Sequence, residues 1–426
     1  MRLFCGFLFA LATTVFAAEP PVTAIHARHL LDVRTGSVSD AFIVVKGERI
    51  EAIAKSAPSG AKVIDLGNAT VLPGLIDCHV HLVTDWTDLS PTGYLTISSA
   101  QKALFGLLNS WSYLDHGFTT LRDAGEGDPG YGQVALRDSL NKGMFRGPRL
   151  FVAGFPISVT GGHADINPLA PDIAMPVNGN IADSVDETQK AVRHDVRNGV
   201  DWIKLMATGG VSDPLSDFNV QELSDEQLRA AVEWGHRAHK KVMAHAEGTQ
   251  GIKAAVRAGV DSIEHGTVLD EEGAKLMAER GTWLVPTLET FQRGVEIGLS
   301  QGQAPVMLEK GKAILKFQQT AFDWAMKYHL KIAFGLDDEP KFVAREFEAL
   351  VKAGMTPLQS VQTATINAAT LLDQGANIGS LEAGHYADIV AIDGDPLKDI
   401  KTMSKIVFVM KGGEVVRSEG AGALGH

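Results

Sequence analysis

Histidine, lysine and aspartate side chains end five separate strand-like segments of this sequence. The first of these segments closes with His79 and His81, which lie two positions apart. Because alternate residues of a strand point to the same face, one backbone segment directs both imidazoles toward a single point. The later segments end in residues of the same chemical kind, in the order Lys204, His245, His265 and Asp337. Imidazole and carboxylate groups ligate zinc and similar divalent cations, so the series predicts a metal site.

The centre of the chain alternates strand-like and helix-like segments, and this framework would position the ligands. The strand candidates are residues 75–81, 119–122, 149–153, 202–206, 242–246, 262–265, 283–286 and 332–335. Ser224 and Gln227 form a capping box that predicts the start of one helix. Eight βα repeats predict an α/β fold, specifically a (β/α)8 TIM-like barrel. A closed barrel brings the ends of its first, fourth, fifth, sixth and eighth strands to one place, as the metal site requires. A doubly wound sheet, the alternative architecture, would not do so easily.

Both ends of the chain show short β-like runs separated by turns. These runs are residues 23–27, 41–45, 50–53 and 62–65, then 387–392, 406–410 and 414–416. They predict a small β-sandwich assembled from both ends of the chain. The expected domains are a signal peptide at 1–17, a composite sandwich at 18–72 plus 378–426, and a barrel at 73–377 that would carry the metal site.

The N-terminus is typical of a secretory signal. Arg2 precedes an apolar stretch that runs to Phe16, and Ala17 follows as a small residue for cleavage. We therefore expect a secreted or periplasmic mature protein without a membrane span. Cys5 leaves with the signal, so Cys78 remains alone and no intramolecular disulfide forms. The loss of Arg2 takes the net charge from −12 to −13, and this acidity argues against nucleic acid as a partner.

Several short segments resemble the amidohydrolase superfamily of metal-dependent hydrolases. They are residues 73–81, 364–369, 379–384, 387–390 and 393–396. Residues 120–125, 161–163 and 208–211 are similar to one branch, which holds Xaa-amino-acid dipeptidases, prolidase-like enzymes and ochratoxin-type amide hydrolases. One departure is visible, because Leu336 stands before Asp337 where relatives commonly have threonine. The metal site keeps its aspartate, so this change concerns nearby substrate contacts.

The resemblance implies a site with two Zn²⁺ ions, or other divalent metals. His79 and His81 would bind one ion, and His245 and His265 the other. Lys204 would react with CO₂ and bridge the two ions as N6-carboxylated lysine. Asp337 would ligate one ion and act as the catalytic group that moves a proton from the attacking water to the departing amine. The resemblance also implies a homo-oligomer, of which an octamer is one form.

Substrate contacts are less well defined in the sequence. His163 ends the third strand region and could donate a hydrogen bond to the substrate. Arg122 and Asp123 are expected to form an internal ion pair that supports the barrel rim rather than a substrate clamp. The preference for a substrate side chain resides in the loops, which carry little periodic signal.

Together these features predict a binuclear zinc hydrolase that cleaves an amide bond and releases a free amino acid. Its substrates would be small-molecule amides or dipeptides. One alternative keeps the barrel but acts on a lactone, a cyclic imide or the ring C–N bond of a deaminase substrate. Deaminases of the superfamily commonly lack the bridging lysine, so Lys204 argues against them. A second alternative is a non-catalytic ligand-binding barrel, and the presence of Asp337 argues against that.

Overall fold

The computed structural model describes residues 21–90, 93–165, 170, 172–173 and 180–418. The predicted signal peptide at 1–17 and residues 419–426 of the predicted terminal domain lie outside these described residues. Within them the chain has a mixed α/β fold, in which helices alternate with strands. No described helix is both long enough and apolar enough to cross a membrane.

Strands dominate the two ends of the chain, and most helices lie between them. The strands are β1 (Val22–Leu31), β2 (Val38–Lys46), β3 (Arg49–Ala54), β4 (Lys62–Asp65), β5 (Thr70–Pro73), β6 (Leu75–Val80), β7 (Phe118–Asp123), β8 (Arg149–Val152), β9 (Ile157–Ser158), β10 (Asn180–Ile181), β11 (Trp202–Met206), β12 (Lys241–Ala246), β13 (Ser262–His265), β14 (Trp283–Val285), β15 (Ile389–Ile392), β16 (Ile406–Lys411) and β17 (Glu414–Ser418). The helices are α1 (Ser99–Asp115), α2 (Gly132–Asn141), α3 (Val185–Arg197), α4 (Asp225–Arg237), α5 (Thr249–Ala258), α6 (Glu271–Arg280), α7 (Leu288–Ile297), α8 (Pro305–Lys327), α9 (Val343–Lys352), α10 (Pro357–Gln362) and α11 (Ala368–Leu371).

The two ends of the chain build one eight-stranded sheet, in the order β17-β16-β15-β5-β1-β2-β3, with β4 also paired to β1. β5 and β15 join the two halves as antiparallel neighbours, with Pro73 opposite Ile389. Apolar side chains such as Ile25, Ile43 and Phe408 form the core of this unit. Strands from both chain ends therefore pair in one sheet. The pairings describe a single sheet, and its folding into a sandwich stays a prediction.

The central strands form two parallel sheets. One has the order β6-β7-β8, and the other has the order β10-β9-β11-β12-β13-β14. β11 and β13 have the predicted bounds, four other predicted strands differ by one residue at one end, and β7 extends one residue beyond the prediction at each end. The eighth predicted segment is not a strand, because only Ile332 forms an isolated parallel bridge, to Leu284.

The expected closed ring is therefore not continuous in the described strands. Where the prediction requires a ladder of backbone hydrogen bonds between neighbouring strands, the structure has isolated contacts. Ala153 bridges to Trp202, and the backbone N–H of Cys78 donates to the carbonyl of Phe334 at 2.8 Å. At these positions single hydrogen bonds pair individual backbone groups, and the consecutive pairs that define a strand are not formed.

The parallel strands nevertheless direct their carboxyl ends to one side. β11 pairs with β12 so that Met206 lies opposite His245, and β12 pairs with β13 so that Ala246 lies opposite His265. The predicted capping box is present, because Ser224 caps α4 and Gln227 bonds back to the backbone of Ser224. Each helix of this type returns the chain to the start of the next strand.

Candidate metal centre

Four of the predicted ligands, His79, His81, His265 and Asp337, converge on one point. Nε2 of His79 and Nε2 of His81 lie 3.7 and 3.3 Å from Oδ1 of Asp337. Nδ1 of His265 lies 4.0 Å from Oδ2 of the same carboxylate. Potential ligand atoms of His79, His265 and Asp337 all lie within 4.8 Å of one another. This separation suits a common divalent cation, since nitrogen and oxygen ligands stand about 2.0–2.2 Å from zinc.

The remaining two predicted ligands lie beside this group. The ring centroids of His245 and His265 are 4.7 Å apart, and those of His79 and His265 are 4.9 Å apart. The side chain of Lys204 is buried in β11. Burial lowers the pKa of Lys204, although the charges of Glu264 and Asp337 oppose that change. A larger fraction of the Lys204 side chain is therefore in the neutral amine form than for an exposed lysine at the same pH.

Each of the four imidazoles has one nitrogen held by a neighbouring group, which leaves the other for a ligand. The four contacts are His79 Nδ1 to Glu264 at 2.7 Å, His81 Nδ1 to the Gly125 carbonyl at 2.8 Å, His265 Nδ1 to Thr287 Oγ1 at 2.7 Å, and His245 Nε2 to the Gly209 carbonyl at 3.1 Å. Partners of this kind fix the tautomer and orientation of metal-binding histidines. Nε2 of His79 is buried and has no hydrogen-bond partner among the described residues, so it is available to a cation.

The ionisation of these groups also suits metal binding. Burial lowers the pKa of His265 to about 4, and it places the pKa values of His79 and His245 well below their usual range. These imidazoles are therefore neutral at neutral pH, which is the form that ligates metals. Burial acts to raise the pKa of Asp337, but the neighbouring imidazoles of His79 and His81 hold it below its usual value. Asp337 is therefore an anion.

Arg122 has a different partner from the one that the sequence suggested. Its Nη2 lies 2.9 Å from both carboxylate oxygens of Glu264, and its guanidinium stands over the ring of Trp202 at 4.6 Å. Asp123 instead accepts the backbone N–H groups of Leu82 and Gly125. The predicted Arg122–Asp123 pair is therefore wrong. Arg122 is fully buried, so it supports the ligand His79 through Glu264 and is not a substrate clamp.

The backbone at the strand ends adopts an uncommon conformation. His265, Thr287 and Asp337 have φ values of 72°, 43° and 57°, in the left-handed region that side chains disfavour. Such residues cost on the order of 1–3 kcal/mol each and cluster at functional sites. The sequence contained no clear signal for this conformation at Thr287 or Asp337.

The first turn of α7 contacts two of these ligands. Thr287 Oγ1 bonds His265, and Thr290 Oγ1 donates to the backbone carbonyl of Asp337 at 2.8 Å. The buried carboxylate of Glu346 accepts the backbone N–H groups of Leu288 and Glu289 at 3.0 and 2.8 Å. Sequence reasoning missed Thr287, Thr290 and Glu346, because they lie in helices and a loop with no recognisable motif.

His163 lies next to the ligands without joining them. Its ring stacks on that of His245 with centroids 4.3 Å apart, and its Nδ1 lies 2.6 Å from the carboxylate of Asp213. Burial opposes ionisation of Asp213, but the hydrogen bond and charge of His163 lower its pKa. The structure thus places His163 at the edge of the metal centre, where its Nε2 faces Ser212 at 3.4 Å. Asp213 was also missed in the sequence.

The chain matches known proteins along most of its length. Residues 70–416 match the model of the amidohydrolase family. An ochratoxinase of Aspergillus niger is 31% identical, and the match covers 96% of this chain and 89% of that protein. The crystal structure of a Xaa-Pro dipeptidase with methionine bound in its active site is similar with a TM-score of 0.88 and 32% identity, and the match covers 93% of this chain and all of that one.

A prolidase complexed with N-methylphosphonate-L-proline is similar to the same degree. Its TM-score is 0.86 at 32% identity, and the match covers 93% of this chain and 100% of that one. Members of the amidohydrolase family generally use divalent metals, which agrees with the cluster of His79, His265 and Asp337. The chain is a hydrolytic enzyme that belongs to the amidohydrolase family, in the branch of prolidases and ochratoxinase.

Proposed function

We propose that this enzyme uses two zinc ions to cleave an amide bond and release a free amino acid. The observation that carries the proposal is the convergence of His79, His81, His265 and Asp337, with His245 and Lys204 beside them. All six are buried or half-buried. A set of neutral imidazoles with one carboxylate suits zinc better than calcium or magnesium, which prefer oxygen ligands.

His79, His81 and Asp337 would hold one ion, and His245 and His265 would hold the second. Lys204 would supply the bridge between them. The neutral amine of Lys204 attacks the carbon of CO₂, an N–C bond forms, and the proton leaves to solvent. The product is a carbamate anion with two oxygens. Burial of Lys204 favours the neutral amine that this addition needs.

The remaining chemistry is activation of the water, transfer of its proton and contact with the substrate. Bound divalent cations polarise a substrate carbonyl and lower the pKa of water. Asp337 would accept a proton from the attacking water and pass it to the departing amine; its ionised carboxylate beside the imidazoles supports this role. His163 would contact the substrate, and its hydrogen bond to Asp213 would orient it.

The two central sheets would form one barrel around this site. The bridges Ala153–Trp202 and Leu284–Ile332, with the hydrogen bond from Cys78 to Phe334, are isolated contacts between their edges. These contacts support the proposal of a (β/α)8 barrel, in which the site would lie at the carboxyl ends of the strands.

The proposed substrates are dipeptides and N-acyl amino acids, including ochratoxin-type amides. The names of similar proteins support this class, since they include an ochratoxinase and a Xaa-Pro dipeptidase. We further propose that the enzyme is exported through its N-terminal signal and acts as a homo-oligomer.

The test is a panel of dipeptides, N-acyl amino acids, lactones and cyclic imides, incubated with zinc-loaded enzyme. Release of free amino acids is followed by mass spectrometry, with the Asp337→Asn variant as the matched control. Amide cleavage by the wild type and its near loss in the variant would support the proposal. Turnover of lactones or cyclic imides alone would overturn the proposed substrate class.

A further inference from the structure

We infer that Glu346 is a positioning residue for the metal ligands His265 and Asp337, acting through the first turn of α7. This inference rests on the proposed function, because the metal ligands that Glu346 would position are those of the proposed reaction. Its evidence is the local geometry of α7 and α9. Neither helix contributes a predicted ligand, and Glu346 lies nine residues after Asp337 in the chain.

Glu346 acts as the N-terminal cap of a helix other than its own. The first N–H groups of a helix have no partner within the helix and need an outside acceptor. Thr287, at the N-cap position of α7, provides no such side-chain bond. The carboxyl group of Glu346 accepts the N–H groups of Leu288 and Glu289 instead, at 3.0 and 2.8 Å. Glu346 is 0% exposed, so bulk water does not reach these N–H groups while its side chain is in place.

The first turn of α7, which Glu346 caps, carries two hydroxyl groups that contact the predicted metal ligands. Thr287 bonds Nδ1 of His265, and Thr290 donates to the backbone carbonyl of Asp337. His265, Thr287 and Asp337 all have positive φ values, which are unfavourable for side chains and most so for β-branched threonine. The surrounding contacts must therefore hold this conformation, and Glu346 fixes the helix end that provides them.

A neighbouring helix offers a matched comparison. Asp270 caps α6 by accepting the N–H of Gly273 at 2.7 Å. Within the part of the chain that the structure describes, no hydrogen bond joins the first turn of α6 to a predicted ligand. Removal of either acidic cap should weaken the fold. Only removal of Glu346 should alter the metal centre as well.

The experiment compares Glu346→Ala, Glu346→Gln and Asp270→Ala in the full-length, zinc-loaded protein. The rate of zinc release to a chelator is measured, together with the midpoint of thermal unfolding. Loss of groups that orient metal ligands typically lowers metal affinity by roughly 10–100-fold. We expect release from Glu346→Ala to be faster by about 10-fold or more. Glu346→Gln keeps an acceptor oxygen and should release zinc at an intermediate rate, and Asp270→Ala at the wild-type rate.

Two further measurements separate positioning from general weakening. Amide hydrogen exchange at Leu288 and Glu289 should accelerate in Glu346→Ala. In a Thr287→Ala background the additional effect of Glu346→Ala on zinc release should be smaller, because both act through the same bond to His265. If Glu346→Ala fails to fold, Glu346→Gln provides the same comparison.

Wild-type zinc release from the Glu346 variants, or equal acceleration in Asp270→Ala, would overturn the inference. A wild-type enzyme that holds zinc but cleaves no dipeptide or N-acyl amino acid would instead overturn the proposed function. In that case the release rates still decide the role of Glu346.

Discussion

Arg122 and Glu264 form a fully buried ion pair, with Nη2 of the arginine 2.9 Å from both carboxylate oxygens. The same carboxylate lies 2.7 Å from Nδ1 of His79. A positive charge, a negative charge and an imidazole thus form a continuous chain that ends at the metal centre. Glu264 orients His79 and also compensates the charge of Arg122, so a change at this residue should affect both metal binding and stability.

The Glu264→Gln variant tests this double role. We expect metal affinity to fall by roughly 10–100-fold, because His79 loses its anionic partner. We also expect the free energy of unfolding of the metal-free protein to fall by about 3–5 kcal/mol, since Arg122 is left buried without a counter-charge. Chelator competition and denaturant unfolding measure the two effects. The exposed pair of Glu233 and Arg237 gives the control, because Glu233→Gln should cost only about 0–1 kcal/mol. Equal losses in both variants would contradict the assigned role.

The metal content of the purified enzyme tests the ligand set. We expect two divalent ions per chain, and we expect His79→Ala and His245→Ala each to lose metal and activity together. The measurement is elemental analysis alongside the hydrolysis rate. His236→Ala is a suitable control, since His236 is an exposed residue paired with Asp261. One ion per chain in fully active enzyme would rule out the binuclear site.

Lys204 gives a test of the carbamate. Lys204→Ala should lose the bridge, and Lys204→Arg should fail as well because a guanidinium remains charged and cannot form the carbamate. In the wild type, carbon-13-labelled CO₂ should produce a carbamate resonance that both variants lack. Because the reaction needs the neutral amine, this signal in metal-free protein should grow as pH rises. Wild-type rates in Lys204→Arg would refute the carbamate.

Asp337→Asn separates metal binding from chemistry. Asp337 is one ligand among several, so the variant should retain the fold and much of the metal. It loses the proton acceptor, and general acid–base help is worth about 10²–10⁴-fold. We expect kcat to fall by roughly that factor while KM changes little. Steady-state kinetics with metal analysis provide the measurement. A variant with two ions and near wild-type kcat would move the proton transfer to another group, with His163 the first to examine.

Asp195 should make stability depend on pH away from the metal centre. Burial raises the pKa of Asp195 to about 7, although Tyr131 and Asn180 donate to it. A carboxyl group whose pKa is raised in the folded state stabilises the fold fully below its unfolded value of about 3.9, and that contribution is lost as pH rises to about 7.

The free energy of unfolding of the wild type relative to Asp195→Asn should therefore fall between about pH 4 and 7, by up to about 1.4 kcal/mol per pH unit. Denaturant unfolding of the metal-free proteins across this range measures it. Burial also raises the pKa values of Asp338 and Glu289 to about 7, and the subtraction removes the contributions that these two groups make in both proteins. A difference that stays constant with pH would contradict the prediction.

The sequence predicted side chains that the structure brings close together, but not the groups that hold them; their role as metal ligands stays a prediction. His79 and His81 share one strand face, and Lys204, His245 and His265 lie in strands with clear apolar patterns. Such signals are local. The partner of Arg122 could not be found in this way, because Glu264 lies 142 positions later and the two meet only through the pairing of the strands.

The same limit applies to backbone geometry and to the barrel closure. The left-handed conformation of Asp337 depends on contacts from α7, a helix whose sequence does not identify it as part of the site. Residues 332–335 have the apolar character of a strand, yet among them only Ile332 forms a β-bridge, and the other backbone hydrogen bonds are isolated. The apolar pattern indicates that the segment is buried, as strands of a core are. Whether it also forms the hydrogen bonds of a strand depends on the neighbouring strands.

The pairing of β5 with β15 has a consequence for the order of synthesis. Pro73 and Ile389 are direct neighbours in the terminal sheet, and 316 positions of the chain separate them (389 − 73). At translation rates of about 5–20 residues per second, β15 emerges roughly 15–60 s after β5. During that interval one edge of β5 has unpaired backbone groups, which are a template for association with other chains. The newly made protein therefore depends on protection of this edge until its last strands arrive.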